Sequence, residues 1–289
     1  MRLADESRAI REAYPAELVD LAAFVTDLGG VTGVMLVLSL VYWVTAERRE
    51  RAALVASYTV VAVGVIMLTK YGLAMSRPPE SAFVVPLEDD PYGFPSGHAF
   101  IAVVVYGGLA LAYDRLDDRA TMFGVGALVA AISVSRVVLG LHYLSDVLAG
   151  IAMGIAVLWL LHWGVDGNPR LGFAIGAVAA IPAIAISGGE PYVLVGLGAA
   201  IGGFVAAGSI RSLPSRQSRF GSGFLVIVGL AFLIGVSTIE STVVGELSGG
   251  PVPLAADVAL VAINAVLVAG VLLAPAILGR LDLGPIGTR

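Results

Sequence analysis

The chain has no cysteine, one lysine and three histidines, and only 13% of its 289 residues are charged. Without cysteine, disulfides and thiolate metal sites are excluded. The net charge of −5 is mild and no basic block is present, so nothing marks a nucleic-acid partner. The first thirty residues lack the apolar core of a signal peptide and carry acids throughout, so nothing there reads as cleaved. What the chain has instead is grease: 58% of its residues are hydrophobic, and long apolar runs recur from end to end. A soluble domain does not have that composition, whereas an integral membrane protein does.

A membrane-spanning helix needs about 20 mainly apolar residues. Nine runs qualify, at about 30–47, 52–74, 98–113, 120–140, 143–163, 171–187, 191–208, 222–239 and 255–279. The expected fold is therefore all-α, a polytopic membrane helix bundle. The part from Pro15 to Leu28 reads as an amphipathic helix lying at the interface. Three regions are expected: a tail with that interfacial helix (1–29), a five-helix core (30–165) and a four-helix C-terminal region (166–289).

Short cytoplasmic loops collect Lys and Arg. With nine spans, one set of connections holds Arg48, Arg49, Arg51, Arg115, Arg119, Arg170, Arg211, Arg216, Arg219, Arg280 and Arg289, eleven of the seventeen basic residues. The other set holds Lys70, Arg77 and Arg136, plus Arg2, Arg8 and Arg11 in the tail. The expected topology in the cell membrane puts the C-terminus in the cytoplasm, and the N-terminus and the loops 75–97 and 141–142 outside.

Polar chemistry gathers on those outward connections. "KYGLAMSRPP" supplies Lys70 and Arg77, "PSGH" supplies Pro95 to His98, and "SRVVLGLHYLSD" supplies Ser135, Arg136, His142 and Asp146. Charge at the edge of a bilayer is costly and tends to mark function. Three cations converging on one point suit a phosphate. Ser96 and the free N–H groups of the helix start that follows it can donate to the same anion. His142 and Asp146 are four apart, on one helical face, so a carboxylate bonded to one ring nitrogen leaves the other free as a nucleophile. His98 is then left for proton transfer.

These three segments resemble the signature of the type 2 phosphatidic acid phosphatases, a superfamily that also holds glucose-6-phosphatase and the vanadium haloperoxidases. The pattern is Lys, six residues, Arg-Pro; Pro-Ser-Gly-His; then Ser-Arg, five residues, His, three residues, Asp, and it stands complete at Lys70 to Pro78, Pro95 to His98 and Ser135 to Asp146. The resemblance covers about residues 16 to 165 and implies a helical membrane core and a metal-independent phosphatase with no cofactor. It implies that His142 attacks phosphorus and that Asp146 orients it. His98 would protonate the leaving oxygen and then activate water. Lys70, Arg77, Ser96, the Gly97 N–H and Arg136 would hold the equatorial oxygens of the transition state.

Each residue also has a bland reading. Lys70 at a helix end can snorkel, Arg77 and Arg136 can anchor at the interface, and Ser135 can simply pack. His162 beside Trp163 reads as an interface anchor, Asn264 as an interhelical hydrogen bond, and Asp257 and Glu240 as solvated groups at helix ends. In the second half, "GLGAAIGG" at 196 to 203 places small residues four apart for close helix packing. A site at the end of membrane helices suits a lipid whose headgroup phosphate meets the cations. Polyprenyl diphosphates come first, then phosphatidic-acid-like or glycerophosphate lipids. The competing readings are a vanadate-dependent haloperoxidase, whose familiar examples are soluble, and a phosphate-lipid binding or transport protein, against which the intact His98, His142 and Asp146 argue.

Overall fold

A computed structural model describes residues 2–85, 91–215, 218–248 and 253–277. Arg216, Arg280 and Arg289, used in the loop count, lie outside them. The described residues form twelve α-helices: α1 (Ala4–Ala13), α2 (Val19–Asp27), α3 (Val31–Val44), α4 (Arg49–Leu73), α5 (Gly97–Ala102), α6 (Gly108–Ala112), α7 (Arg119–Val138), α8 (Leu144–Val165), α9 (Pro169–Ser187), α10 (Pro191–Ala207), α11 (Arg219–Ser248) and α12 (Pro253–Leu273). A π-helical turn, Val103–Gly107, joins α5 to α6.

Local chemistry sets the ends of these helices. The Asp118 carboxylate accepts the N–H groups of Ala120 and Thr121 and so starts α7. Asn168 accepts the Leu171 N–H, Pro169 occupies the first turn of α9, and Gly188 ends it at φ +72°. Glu190 does the same for α10 through the Tyr192 N–H. After α7 the chain turns at Gly140, φ +77°, where any side chain would run into the Ala82 carbonyl.

Packing divides the chain into two compact units. One comprises residues 1–36 and 65–166, the other residues 37–64 and 167–289. In the first, α5 packs on α7 and α8, α2 packs on α7, and α1 touches both α7 and α8. α5 and α8 come very close, because Gly150 and Gly154 of α8 face the Ser96 and Phe100 carbonyls and Val103. In the second, α10 packs against α9 and α12, and α11 against α12. The expected small-residue stripe lies in that contact: a Cβ at Gly198 would overlap the Val261 carbonyl, and one at Gly202 the Ala265 carbonyl. Tyr42 and Trp43 donate to the Leu272 and Val271 carbonyls at 2.7 and 3.1 Å.

Six helices among the described residues are long and apolar enough to cross a membrane, at Ala46–Leu73, Arg119–Val138, Leu144–Val165, Pro169–Ser187, Arg219–Leu247 and Leu254–Leu273. The nine expected runs shrink to six for physical reasons. The first is a pair, Ala16–Asp27 and Val31–Val44, bent by 57°, which makes a seventh if counted as one span. The runs at Gly97–Ala112 and Pro191–Ala207 form shorter apolar helices. The tail contains α1, a helix that composition alone did not reveal. Glu240 corrects a second expectation: it lies within α11, not at its end, and accepts from Asn264 Nδ2 at 3.1 Å. That pair is the interhelical hydrogen bond expected of Asn264.

The close α5–α8 contact is testable. A Cβ at Gly150 would lie 2.6 Å from the Ser96 carbonyl oxygen, whereas one at Gly126 meets nothing within 4 Å. Gly150→Ala is expected to lower the thermal midpoint in detergent, in line with an overpacking penalty of about 1–3 kcal/mol, while Gly126→Ala leaves it unchanged or raises it. An unshifted Gly150→Ala midpoint would show that the two helices are not held this tightly.

Candidate functional site

Three pieces of chain meet at one end of the first unit. Lys70 lies in the last turn of α4, and the loop beyond returns on itself. Ser76 and Tyr92 form an antiparallel bridge, and the Gly93 N–H donates to the Met75 carbonyl at 2.8 Å. Lys70 Nζ donates to the Tyr92 carbonyl at 3.2 Å, which brings α4's end to the entrance of α5. The third piece joins through backbone: the Ser96 N–H donates to the Asp146 carbonyl at 2.9 Å. Further out, the Val84 N–H donates to the Leu139 carbonyl at 3.1 Å and fastens the loop to the end of α7.

The side chains expected from the sequence lie together there. Arg77 NH1 donates to the Leu141 carbonyl at 3.1 Å and lies 3.4 Å from His142 Nε2. Arg136, fully buried, lies with NH1 3.5 Å from His98 Nε2 and donates to Thr26 Oγ1 at 3.2 Å. Gly97 is beside the Lys70 stem, since its Cβ would lie 3.9 Å from Lys70 Cε. The Ser96 hydroxyl is buried with no hydrogen-bond partner among the described residues. An unmet buried hydroxyl costs roughly 1–3 kcal/mol, and an oxyanion beside it would remove that cost.

His142 sits in the turn between α7 and α8. Its Nδ1 is 2.6 Å from the Gly93 carbonyl oxygen and 3.6 Å from Asp146 Oδ2. The hydrogen bond that fixes the ring therefore goes to the backbone, with Nδ1–H as donor, and the carboxylate stands behind it as a charge. Burial pushes the imidazole well below its ordinary pKa, the nearby Arg136, Lys70 and Arg77 add to this, and the Gly93 carbonyl opposes it. A neutral ring with Nδ1 protonated presents the Nε2 lone pair toward the arginines, which is the form a nucleophile needs.

Asp146 is fully buried and uses both oxygens. Oδ2 accepts the Tyr143 N–H at 2.9 Å, while Oδ1 accepts Arg2 NH2 at 2.7 Å and Arg2 Nε at 3.2 Å, with Ser145 Oγ 3.1 Å away. The turn after α2 closes the other side: a Cβ at Gly30 would lie 3.4 Å from His98 Nε2. Tyr106, in the π-helical turn, donates to the Leu28 carbonyl at 2.8 Å and holds that turn in place.

Of the secondary readings, Ser135 donates to its own helix at the Ile132 carbonyl, 2.7 Å away, as a packing residue does. His162 is exposed and edge-on to Trp163 with ring centroids 5.8 Å apart, as an interface anchor is. Three participants went unrecognised in the sequence. Gly93 had a local signal, two residues before the Pro-Ser-Gly-His turn, and its backbone passes so close to Arg77 that a Cβ would lie 2.9 Å from the Arg77 Cα. Thr26 and Arg2 had none, being 110 and 144 residues from their partners.

The profile of the PAP2 superfamily matches residues 51–170, which hold all three segments. Phosphatidylglycerophosphatase B of Bacillus subtilis (strain 168) is 28% identical over 85 residues, 27% of this chain and 42% of that protein. Decaprenylphosphoryl-5-phosphoribose phosphatase of Mycobacterium tuberculosis (strain CDC 1551 / Oshkosh) is 30% identical over 158 residues, 52% of this chain and 85% of that protein. The same enzyme of strain ATCC 25618 / H37Rv matches equally. No solved structure matches the chain. With the signature complete and a relative aligned over most of its own length, the chain belongs to the PAP2 superfamily.

Proposed function

We propose that the chain, as a phosphoric monoester hydrolase of the PAP2 class, removes phosphate from a membrane lipid through a phosphohistidine on His142, without a metal. The observation that carries this reading is the convergence of Lys70, Arg77, Arg136 and the unmet Ser96 hydroxyl on two histidines, at one end of membrane-length helices.

In the first step His142 Nε2 attacks phosphorus, the bond from phosphorus to the lipid oxygen breaks, and His98 gives that oxygen its proton. In the second, His98 takes a proton from water as it attacks, the P–N bond breaks, and inorganic phosphate leaves. Lys70, Arg77, Arg136, Ser96 and the Gly97 N–H meet the charge on the equatorial oxygens. The relatives' names describe phosphatases acting on a glycerophospholipid phosphate and on a polyprenyl-linked sugar phosphate. Both are lipid-borne phosphomonoesters, which favours that class here, with polyprenyl diphosphates next.

The bent pair and the two shorter helices complete nine crossings, since helices of 16–17 residues span about 24–26 Å, near the hydrocarbon thickness. The site then faces outward and the C-terminus lies in the cytoplasm. Leu18, Leu21 and Phe24 are exposed while Ala22 and Thr26 are buried, so the first limb of that bent span turns an apolar face outward. Single cysteines test the sidedness. One at Glu80 reacts with an impermeant thiol reagent in intact cells, and one at Asp117 does not. The reverse pattern would turn the site to the cytoplasmic leaflet.

The activity test is phosphate release by the purified protein from a panel of phosphatidate, phosphatidylglycerol phosphate, polyprenyl-linked sugar phosphate and polyprenyl diphosphate. Release persists in excess EDTA and is inhibited competitively by orthovanadate. Activity that vanishes in EDTA and returns with Mg²⁺ would sink the mechanism. The histidines separate by leaving group, because general acid catalysis contributes about 10²–10⁴-fold and matters most for a poor one. With p-nitrophenyl phosphate, His98→Ala shows a burst of p-nitrophenol and then a slow steady rate, while His142→Ala shows none. A burst from His142→Ala would move the nucleophile elsewhere.

A further inference from the structure

Arg2 touches all three segments of the site. Its NH1 donates to the Ser76 carbonyl, next to Arg77, and its guanidinium lies 5.9 Å from the centre of the Phe94 ring, next to Pro95. It also lies 4.8 Å from the centre of the Tyr143 ring and is ion-paired to Asp146 Oδ1 at 2.7 Å. The backbone joins in: the Arg2 carbonyl accepts from Ser145 Oγ at 2.9 Å. Ser7 of α1 is buried, and its hydroxyl accepts the Leu144 N–H at 2.8 Å, capping the first turn of α8. A fully buried carboxylate needs a counter-charge. Lys70, Arg77 and Arg136 group around the histidines, while Arg2 grips the carboxylate from the far side.

We infer that Arg2 is a positioning residue of the phosphatase: it holds Asp146 so that Oδ2 stays on the Tyr143 N–H and behind His142, and it clips the three site segments together. This rests on the phosphatase reading given above. Acting through Asp146, Arg2 governs the rate of the chemical step and leaves substrate binding alone.

The test uses the full chain in detergent with phosphatidate in mixed micelles as the probe. Variants are Arg2→Gln, Arg2→Lys, Ser7→Ala, Asp146→Asn and the Arg2→Gln/Asp146→Asn pair, with exposed Arg8→Ala as a control that stays at wild-type rate. Loss of a partner that orients a site group typically costs about 10–100-fold. Arg2→Gln is expected to lower kcat by that factor with KM within about twofold, the signature of an interaction that matters in the transition state. Arg2→Lys keeps the charge but not the fork, and so restores only part of the loss. In the Asp146→Asn background, Arg2→Gln costs little more, because the charge it serves is gone.

The inference is overturned if Arg2→Gln keeps wild-type kcat, or raises KM alone, or costs as much with Asn at 146 as with Asp. It is equally overturned if Ser7→Ala, which loosens α1 but keeps the Arg2 charge, reproduces the whole loss. A second readout needs no turnover. With only three histidines in the chain, ¹⁵N-histidine spectra resolve each ring, and Arg2→Gln should move the His142 nitrogens and leave His162 in place. Unmoved His142 signals in a folded variant refute the inference. A wild-type protein that releases no phosphate from any of the four lipids of the panel refutes the phosphatase reading, while the ring shifts still judge whether Arg2 positions His142. If phosphatidate alone is inert, the variants are run on the panel lipid that is turned over.

Discussion

The site depends on one backbone contact, the Ser96 N–H on the Asp146 carbonyl at 2.9 Å. It joins the entrance of α5 to the first turn of α8, and so joins the segment that carries Ser96 and His98 to the segment that carries His142 and Asp146. Such proximity is possible only because α8 offers glycine at positions 150 and 154, where the α5 backbone passes. A hydrogen bond of this kind contributes only about 0.5–1.5 kcal/mol net. Its importance is geometric, because it fixes Ser96 and His98 relative to His142 and Asp146.

The loop after α4 is the second constraint. Its return path is held by the Ser76–Tyr92 bridge, the Gly93 N–H to Met75 and the Val84 N–H to Leu139. These are backbone bonds, so they fix where Arg77 leaves the chain and where the Gly93 carbonyl points. That carbonyl meets His142 Nδ1 at 2.6 Å, closer than the Asp146 carboxylate at 3.6 Å. Proton placement on the ring is therefore set by a peptide group that cannot change its charge, while the carboxylate acts at longer range on any positive charge the ring gains.

How much of this was legible follows from what each interaction leaves in the sequence. Lys70, Arg77, Ser96, His98, Arg136, His142 and Asp146 could be picked out as a set because a phosphate site would need those residue types at set spacings, and the structure brings them to one place from helix ends, helix starts and one loop. The helical class and the membrane character were readable from composition, and the Gly198–Gly202 contact from the spacing of small residues. The extent of α10 was readable too, expected at 191–208 and found at Pro191–Ala207, whereas the 57° bend joining Ala16–Asp27 to Val31–Val44 leaves no mark in hydropathy. Gly93 acts through its carbonyl, which every residue has, so its identity betrays only the tight passage beside Arg77. Arg2 and Thr26 act across more than a hundred residues, and an arginine in a charged tail looks like any other. Glu240 was misread because a carboxylate in an apolar helix looks like a boundary, when its partner Asn264 lies on the next helix.

The charges then fall into two groups with different work. Lys70, Arg77 and Arg136 lie around the two histidines, and on the proposed reading they are the charges that would meet the substrate phosphate. Arg2 and Asp146 form a separate pair behind His142 whose charges cancel at 2.7 Å. Were Asp146 unpaired, its charge would favour a proton on His142. On the proposed mechanism, its absence would leave nothing behind the ring to steady the positive charge that would develop as Nε2 bonds to phosphorus. A carboxylate screened by an arginine from the far side satisfies both demands. Its pull on a resting proton is reduced by the arginine, yet at 3.6 Å it stands close enough to favour the ring should it become cationic. The same arrangement explains why burial, which lowers the proton affinity of His142, is compatible with an acid 3.6 Å away.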